Sequence, residues 1–172
     1  MRILIMAVAL LLFGGAGSTV TAQLCGLEKG NKAPEIRLPS IKGDTVSLYS
    51  LKGKLVLIDF WGTWCAPCVE EQSELARLYQ QYKPAHFVNE KGFEIYGVAL
   101  EAKKPNWENF ISKNKISWIQ VSDLKFWRSP VAKTYNIQGL PFNVLIDGKG
   151  VILAKNLHGT DLEKAIGKNL SK

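Results

Sequence analysis

The sequence LVLIDFWGTWCAPC at residues 55–68 decides the fold of this chain. Its first seven residues are strand-forming and apolar apart from one acid, Asp59, so they predict a buried β-strand. A glycine ends the run, and two cysteines, Cys65 and Cys68, follow shortly after it. The stretch is therefore predicted to carry a dithiol from the end of a strand to the start of a helix.

The residues after the dithiol predict that helix. Apolar side chains recur near helical spacing from Val69 to Tyr82, and Glu70 and Glu71 are expected in the first turn, where acids favour the positive end of the helix dipole. Both cysteines would then lie where helix charge and unpaired backbone N–H groups stabilise a thiolate, which is the nucleophile of disulfide chemistry.

The spacing of the two cysteines favours redox chemistry over a structural crosslink. A disulfide that closes so short a loop gives little entropic stabilisation. The alternatives are a permanently oxidised staple or a pair of zinc ligands, but a structural zinc site needs four ligands and the chain has no second cysteine pair. Because Cys65 comes first, it is expected to be the more exposed thiol and the attacking nucleophile, with a lowered pKa. Cys68, one turn deeper, is expected to resolve the mixed disulfide.

The composition is typical of a single folded domain. The chain has 172 residues, of which 47% are hydrophobic, so it has material for one core but too little for two domains of ordinary size. Its formal net charge is +7, but the basic residues are scattered and form no run longer than a pair. This pattern indicates a solvated surface and argues against a nucleic-acid partner.

Residues 1–22 have the layout of a secretory signal peptide. Arg2 provides the positive start, an apolar run occupies positions 3–13, and small or polar residues lead to a predicted cleavage site after Ala22. The mature chain is therefore expected to be exported to the periplasm of a two-membrane bacterium, where disulfides form readily. The alternative is an uncleaved segment that anchors the domain to the membrane, facing the periplasm.

The predicted mature chain begins with a flexible leader at residues 23–33, followed by a domain at residues 34–172. The leader is polar and contains the odd cysteine, Cys25, which is expected to be a spectator thiol or a site of intermolecular pairing. Lipidation of Cys25 is disfavoured because Leu24 precedes it, where a small residue is usual.

Strands and helices are predicted to alternate through the domain. An N-terminal hairpin is predicted around a Lys-Gly-Asp turn, and a closing hairpin joins FNVLID to VILAK around Asp-Gly-Lys-Gly. Besides the helix after the dithiol, helices are expected to start at Pro105, after Ser129, and at a cap formed by Thr160 or Asp161, the last one continuing to Leu170. The pattern predicts an α/β fold with a mainly parallel sheet, helices on both faces and an antiparallel edge from the closing hairpin.

Two residues are unusual within strand-like segments. An unpaired carboxylate in a buried strand is costly, so Asp59 is either a buried acid with a pKa raised toward neutrality or an acid at the strand rim contacting lysine. Pro141 precedes FNVLID, where a proline indicates either a cis peptide bond or the first residue of a strand in the trans form. The two histidines, His86 and His158, are expected to be exposed spectators rather than ligands.

Together these features resemble the thioredoxin superfamily and, within it, the exported TlpA/ResA-like thiol–disulfide oxidoreductases. The resemblance covers residues 30–168 and rests on WCAPC at residues 64–68, on DFW before it, on Gly-Leu-Pro before FNVLID and on the closing DGKG turn. The N-terminal hairpin and the helix-strand segment at residues 105–121 are similar to additions that distinguish this group from plain thioredoxin. The implied fold is a thioredoxin fold with a central mixed sheet flanked by helices, an N-terminal β-hairpin and a central helix-strand insertion.

The resemblance implies the catalytic residues. Cys65 and Cys68 would form the redox-active disulfide. Asp59 resembles the buried acid that accepts the proton of the resolving thiol, a role that a pKa near neutrality suits. Glu101, at the end of the following strand, is similar in location to an acid found near the active site in the TlpA/ResA-like group.

The resemblance also implies the residues that bind substrate, which are Trp64, Pro67, Leu140 and Pro141. It places Pro141 beside the dithiol in the cis form, which leaves the backbone of Leu140 free to pair with an extended substrate segment. Pro67 is expected to limit opening of the turn between the thiols, and Trp64 to cover the thiol and contact substrate. Relatives often carry threonine in place of Leu140, and this departure bears on partner specificity and on the exact potential.

The function implied is that of an exported reductase of protein disulfides, such as those of apocytochrome c in cytochrome c maturation. Its partners would be protein thiols and disulfides together with a membrane-borne thiol donor, and the chain would act as a monomer without a cofactor or a metal. One alternative is a peroxiredoxin-like thiol peroxidase, although Gly62 stands where such chains usually carry threonine or serine. Another is a copper carrier that uses the two thiols and a histidine.

Overall fold

A strand with seven buried residues, β3 (Leu55–Trp61), lies at the centre of the sheet. The computed structural model describes residues 25–171, and the predicted signal peptide lies outside the described residues. The other strands are β1 (Arg37–Pro39), β2 (Thr45–Ser47), β4 (Phe93–Ala99), β5 (Ile119–Val121), β6 (Phe142–Ile146) and β7 (Ile152–Lys155). The helices are α1 (Ala66–Tyr82), α2 (Lys104–Lys113), α3 (Pro130–Thr134) and α4 (Gly159–Gly167), with 3₁₀ turns at Leu48–Leu51 and Phe126–Arg128. Within residues 25–171, no helix has both the length and the apolar character that crossing a bilayer requires.

Strands of both directions flank β3. The five-stranded sheet has the order β5-β4-β3-β6-β7, in which β3, β4 and β5 are parallel while β6 and β7 join by antiparallel pairing. The parallel pairs need crossover connections, which α1 and α2 provide. Strands β1 and β2 form a separate antiparallel hairpin in which Leu38 lies opposite Val46. The predicted mixed sheet and N-terminal hairpin are confirmed, and the structure adds that β6 lies directly beside β3.

Side-chain alternation along β3 separates the core into two layers. Ile58 and Phe60 pack in the layer formed with the N-terminal hairpin and α3, whereas Leu55 and Leu57 pack beneath α1 and α4. Burying each such side chain contributes roughly 1.5–3 kcal/mol to stability. A third, smaller cluster at the end of β3 contains Trp61, both cysteines of the dithiol and part of α2. The site therefore lies where β3 leaves the main core.

Part of the predicted leader contacts the domain. The Gly30 backbone N–H donates to Ile152 in β7, and the Ile152 N–H donates to Asn31, each at 2.9 Å. Ala33 is fully buried and donates its N–H to Gly150. These contacts belong to residues at the end of the predicted leader, and the division into a leader at 23–33 and a domain at 34–172 stays a prediction.

The structure corrects two helix starts. Helix α1 begins at Ala66, so its first turn contains no acid and Glu70 and Glu71 lie in the second turn. Because Cys65 itself is the N-cap, the first turn is occupied by the Cys-Ala-Pro-Cys segment, which leaves no position for the expected acids.

The last helix also begins earlier than predicted. Its N-cap is His158, the final residue in an extended conformation, rather than Thr160 or Asp161. The helix ends at Gly167, short of the predicted end at Leu170.

Candidate active site

The turn after β3 brings the two cysteines to the N-terminus of α1. The Cys65 backbone N–H donates to the Gly62 carbonyl at 3.1 Å, which closes the turn. The Cys65 sulfur then accepts the backbone N–H of Cys68 at 3.3 Å, so the sulfur itself caps the helix. Pro67 lies in the first helical turn, where the missing N–H of a proline removes no intrahelical bond. The predicted delivery of the dithiol from a strand to a helix start is confirmed.

Cys65 and Cys68 are joined by a disulfide, with their Cα atoms 5.2 Å apart. The exposed fraction is 6% for Cys65 and 1% for Cys68. Cys65 is thus the sulfur that a partner can reach more easily, as expected from its position at the cap. Cys25, in contrast, is an exposed free thiol outside this site.

Gly62 is required by the close approach of a tryptophan ring. A Cβ atom at this position would lie 2.5 Å from Trp64 Nε1, which is too short for a real contact. The Trp64 indole lies over the glycine and donates its N–H to the Leu100 carbonyl at 2.8 Å. The Trp64 side chain is 45% exposed directly beside Cys65.

Glu101 contacts the turn that carries the dithiol. It follows β4 by two residues, is 2% exposed, and accepts a hydrogen bond from the Thr63 backbone N–H through its carboxylate. The resemblance implies an acid near the active site at this position, and the structure places this carboxylate against the segment just before Cys65. Its contact with the backbone indicates that Glu101 positions the turn, while a direct role in catalysis stays a prediction.

Asp59 is buried in the layer beneath α1. It is 2% exposed and lies between Gly97 of β4 and Asn143 of β6 in the register of the sheet. Burial, and secondarily the negative charge of Glu71, raise the pKa of Asp59 to about 8, although a hydrogen bond from Gln72 acts in the opposite direction. The sequence leaves two interpretations of Asp59 open, and burial with a raised pKa agrees with the first, a buried acid whose pKa is raised toward neutrality. The alternative, an acid at the strand rim contacting lysine, is wrong because the carboxyl is inside the core and forms no ion pair with a lysine of residues 25–171.

Glu71, whose negative charge acts on Asp59, is paired with a surface histidine. The Glu71 carboxylate lies 2.7 Å from His158 Nδ1, and its side chain is only 10% exposed. The other ring nitrogen of His158 lies 3.2 Å from the Asn156 side-chain oxygen. His158 was expected to be a spectator, whereas the structure pairs it with the acid whose charge acts on Asp59.

The loop that carries His158 is held by the neighbour of Asp59 in the sheet. The Asn143 side-chain amide donates to the Leu157 carbonyl at 2.6 Å, and the Leu157 N–H donates back to the Asn143 oxygen at 3.0 Å. These bonds fix the residue before His158 relative to β6. One sequence feature could have indicated Glu71: three positions after Cys68, it lies on the same face of α1. Nothing in the sequence indicated Asn143 or His158.

Replacing Glu71 with glutamine (Glu71→Gln) is expected to lower the pKa of Asp59. The substitution removes a negative charge that disfavours the ionised form of the buried carboxyl. The pKa is measured by the pH dependence of the Asp59 carboxyl carbon shift in NMR. Glu74→Gln, one turn further along α1, is the matched control and is expected to leave the value unchanged. An Asp59 pKa that is the same in Glu71→Gln and in the unmodified protein would contradict this account.

The Leu140–Pro141 peptide bond is cis, as the resemblance implied. Leu140 is half-buried and packs against the cluster that contains Trp61, Cys65 and Cys68. Pro141 precedes β6 directly and is also half-buried. The structure therefore brings Leu140 to the dithiol from the side opposite to β4, while binding of substrate by Leu140 and Pro141 stays a prediction.

One family profile and several known proteins match this chain. The profile of the AhpC/TSA family matches residues 29–155. The thiol-disulfide oxidoreductase ResA of Bacillus cereus is 33% identical, over 99% of this chain and 96% of the relative. ResA of Bacillus thuringiensis subsp. konkukian is 34% identical, over 85% of this chain and 79% of the relative.

Two solved structures named as thiol-disulfide oxidoreductases have the same fold as this chain. A thiol-disulfide oxidoreductase from Bacteroides fragilis superposes with a TM-score of 0.72 at 34% identity, covering 80% of this chain and 98% of the other. The thioredoxin domain of a thiol-disulfide oxidoreductase from Bacteroides vulgatus gives a TM-score of 0.74 at 38% identity, covering 83% and 98% respectively. The similarity in fold thus extends over most of each domain.

Proposed function

Because the chain belongs to the AhpC/TSA family and is a thiol–disulfide oxidoreductase like its relatives, we propose that it works as an exported reductase of protein disulfides. One observation carries this proposal. The disulfide lies at a helix N-terminus with Cys65 as the more accessible sulfur, and a buried carboxyl, Asp59, occupies the strand that leads to it.

In the first step, the Cys65 thiolate attacks one sulfur of a partner disulfide. A bond forms between Cys65 and that sulfur, the partner S–S bond breaks, and the second partner sulfur leaves as a thiolate. Unpaired N–H groups and the positive end of the α1 dipole stabilise the Cys65 thiolate, because the sulfur stands at the N-cap.

In the second step, Cys68 releases the partner. The Cys68 thiol gives its proton to the Asp59 carboxylate, and the resulting thiolate attacks the Cys65 sulfur. The Cys65–Cys68 disulfide forms, and the partner leaves with both of its sulfurs reduced, having received two electrons. An Asp59 pKa of about 8 lets the carboxyl take up a proton near neutral pH, which suits the role of proton acceptor.

The substrate would bind across the dithiol between Trp64 and the cis-proline loop. An extended segment can pair with the backbone of Leu140, which precedes Pro141 and packs beside the two cysteines. Pro67 is exposed in the first turn of α1, where it limits the conformations of the loop between the thiols. Glu101 would keep the preceding turn in place through its bond to Thr63.

The compartment, the reductant and the oligomeric state belong to the same proposal. The signal-like residues 1–22 support export to the periplasm, with cleavage after Ala22 or with an uncleaved anchor that faces the periplasm. Each turnover leaves the Cys65–Cys68 disulfide, so a thiol donor must reduce it again, and a membrane-borne donor would supply electrons in an oxidising compartment. We propose that the chain acts as a monomer.

Trapping tests the exchange mechanism. The Cys68→Ser variant, expressed in the native compartment, is expected to accumulate mixed disulfides on Cys65, because the resolving thiol is missing. Both the trapping variant and its control carry Cys25→Ser as well, because Cys25 is an exposed free thiol. Non-reducing electrophoresis followed by mass spectrometry measures the trapped partners, and the Cys65→Ser/Cys68→Ser control should trap none. Absence of any trapped partner in an abundantly expressed Cys68→Ser variant would contradict the mechanism.

The family profile gives one specific reason to consider a thiol peroxidase as a second function. A peroxidase would reduce peroxide at Cys65 and would retain this first step in the Cys68→Ser variant. Gly62 stands three positions before Cys65, where a peroxidase usually carries threonine or serine, and a bulkier residue there would collide with Trp64. Rapid peroxide consumption that survives Cys68→Ser would favour the peroxidase.

A further inference from the structure

Three aromatic rings form an exposed cluster beside the dithiol, which we call the aromatic patch: Trp64, Phe126 and Trp127. The ring centroid of Trp64 lies 4.9 Å from that of Phe126 and 5.9 Å from that of Trp127. Trp64 is 45% exposed and Trp127 is 38% exposed. Within residues 25–171 the only other large apolar side chain with comparable exposure is Val88, which lies elsewhere. The patch is therefore unusual for this surface.

The patch is held in place by backbone contacts rather than by burial. The Phe126 N–H donates to the Glu101 carbonyl at 3.0 Å, and the Ser129 N–H donates to the Phe126 carbonyl at 3.1 Å. Phe126 has φ = 55°, a conformation that a bulky residue rarely adopts and that costs free energy. The left-handed backbone of Phe126 and these two hydrogen bonds hold the rings at the surface.

A groove lies next to the patch. Its volume is about 270 Å³. The residues that line it are Thr63, Trp64, Glu101, Ala102, Lys103, Asn106 and Phe126. Most of the exposed lining is apolar, and one wall is the tryptophan that directly precedes Cys65. Since consecutive Cα atoms are about 3.8 Å apart, a partner segment whose sulfur reaches Cys65 needs only a few further residues to extend into this groove.

The rim of the patch is positively charged. Lys103, Lys125 and Arg128 are exposed, and none of them forms an ion pair with another residue of the described region. Two acids are close by. The Asp123 carboxylate accepts the Lys125 backbone N–H, and Glu101 is buried against the turn before the dithiol. The free charges that face solvent at the rim are thus mainly basic, which favours an acidic neighbour in a partner.

We infer that the aromatic patch and its groove bind the segment of a protein substrate that flanks its reactive cysteine, and that they select a large apolar side chain next to that cysteine with an acidic residue beyond it. This inference rests on the proposed function, because the segment is presented only while its sulfur reacts with Cys65. Exposed tryptophans in a fixed geometry are the residues that most often dominate binding energy at protein interfaces. The patch continues the surface around Cys65, so a partner bound at the dithiol lies close enough to contact it.

Matched peptide disulfides test the inference. Two peptides are compared, identical except for phenylalanine or alanine beside the cysteine, each with an acidic residue next along the chain and with dithiothreitol as the thiol donor that reduces the protein again. The unmodified protein is expected to reduce the phenylalanine peptide with a kcat/KM about tenfold higher, chiefly through KM. Trp127→Ala is expected to remove this preference, Trp127→Phe to retain most of it, and the exposed control Val88→Ala to retain all of it.

Hydroxyethyl disulfide, a small disulfide without a peptide segment, distinguishes failure of this inference from failure of the proposed function. If it is reduced normally while both peptides react at equal rates, the inference is overturned and the proposed function stands. If neither it nor the peptides are reduced, the proposed function fails. A concentration-dependent dimer that Trp127→Ala abolishes, together with equal peptide rates, would assign the patch to self-association and would also overturn the inference.

Discussion

Resolution of the mixed disulfide is expected to slow by about 10²-fold at pH 7 when Asp59 is replaced with asparagine, since a positioned general base typically contributes 10²–10⁴-fold. The asparagine keeps the shape of the side chain but cannot accept the proton of Cys68. In the unmodified protein the rate is expected to rise with pH through an inflection near pH 8, the pKa of Asp59. In Asp59→Asn the inflection due to this carboxyl should disappear, and the rate should depend on pH only through the ionisation of the attacking Cys68 thiol. Rapid-quench kinetics of a preformed mixed disulfide on Cys65, followed from pH 6 to pH 9, measures both effects.

The first step of exchange provides the matched control. Formation of the mixed disulfide depends on the Cys65 thiolate at the helix cap, so Asp59→Asn should change its rate little when measured in the Cys68→Ser background. Equal resolution rates in Asp59→Asn and the unmodified protein would remove Asp59 from the mechanism. A slowing of both steps by the same factor would indicate a general distortion of the site.

The free energy of unfolding is expected to move in the opposite direction from the activity. The pKa of Asp59 is about 8 in the folded protein, whereas an aspartate in the unfolded chain has a pKa of about 3.9. Between these values the folded state keeps a proton that the unfolded state has lost, so stability falls as pH rises from about 4 to about 8. At pH 7 the unfavourable contribution is on the order of 4 kcal/mol. Asp59→Asn should therefore raise the free energy of unfolding by an amount of that order.

Urea unfolding of the oxidised protein at several pH values between 4 and 8 measures this effect. The unmodified protein should lose stability across the range, and Asp59→Asn should lose much less. Asp161→Asn, which changes an exposed acid on α4, is the control and should keep the pH dependence of the unmodified protein. A gain in stability that is the same at pH 4 and pH 8 would show that the carboxyl is not buried with a raised pKa.

The loss of activity and the gain in stability expected for Asp59→Asn have the same physical cause. A buried carboxyl that is ready to take a proton near neutral pH must lie in surroundings that disfavour its charge, and those surroundings also destabilise the fold when the charge forms. On the proposed mechanism, Asp59 lowers stability in exchange for activity.

The parts of the fold that depend on local sequence could be predicted. The apolar run of β3 and the helical spacing after Cys68 each fix an element through the chemistry of adjacent residues. The exposure order of the two cysteines followed from their order along the helix. The cis form of Pro141 was left open by the residues themselves and came from the resemblance.

The contacts around Asp59 could not be predicted, because they join residues distant in the sequence. Glu71 meets His158 only because β6 lies antiparallel beside β3, which brings the loop after β7 against α1. The bonds from Asn143 to Leu157 depend on the same arrangement. A lone histidine in a polar loop gives no sign of such a partner.

The exposed aromatic residues show a related difficulty. Nothing in the pattern of apolar residues indicates that Trp127 and Phe126 lie together at the surface, since large apolar side chains are usually buried. Their exposure depends on the left-handed backbone of Phe126 and on its bond to Glu101, neither of which a pattern of apolar residues indicates.

The reduction potential of the Cys65–Cys68 pair decides whether the protein works as a reductase or as an oxidase. Equilibration with thiol–disulfide buffers at pH 7, followed by alkylation and mass spectrometry, measures the potential, and the Cys25→Ser variant ensures that only the dithiol titrates. A reductase of this kind is expected to have a potential near that of thioredoxin, about −270 mV. A value near that of a strong oxidase, about −120 mV, would contradict it.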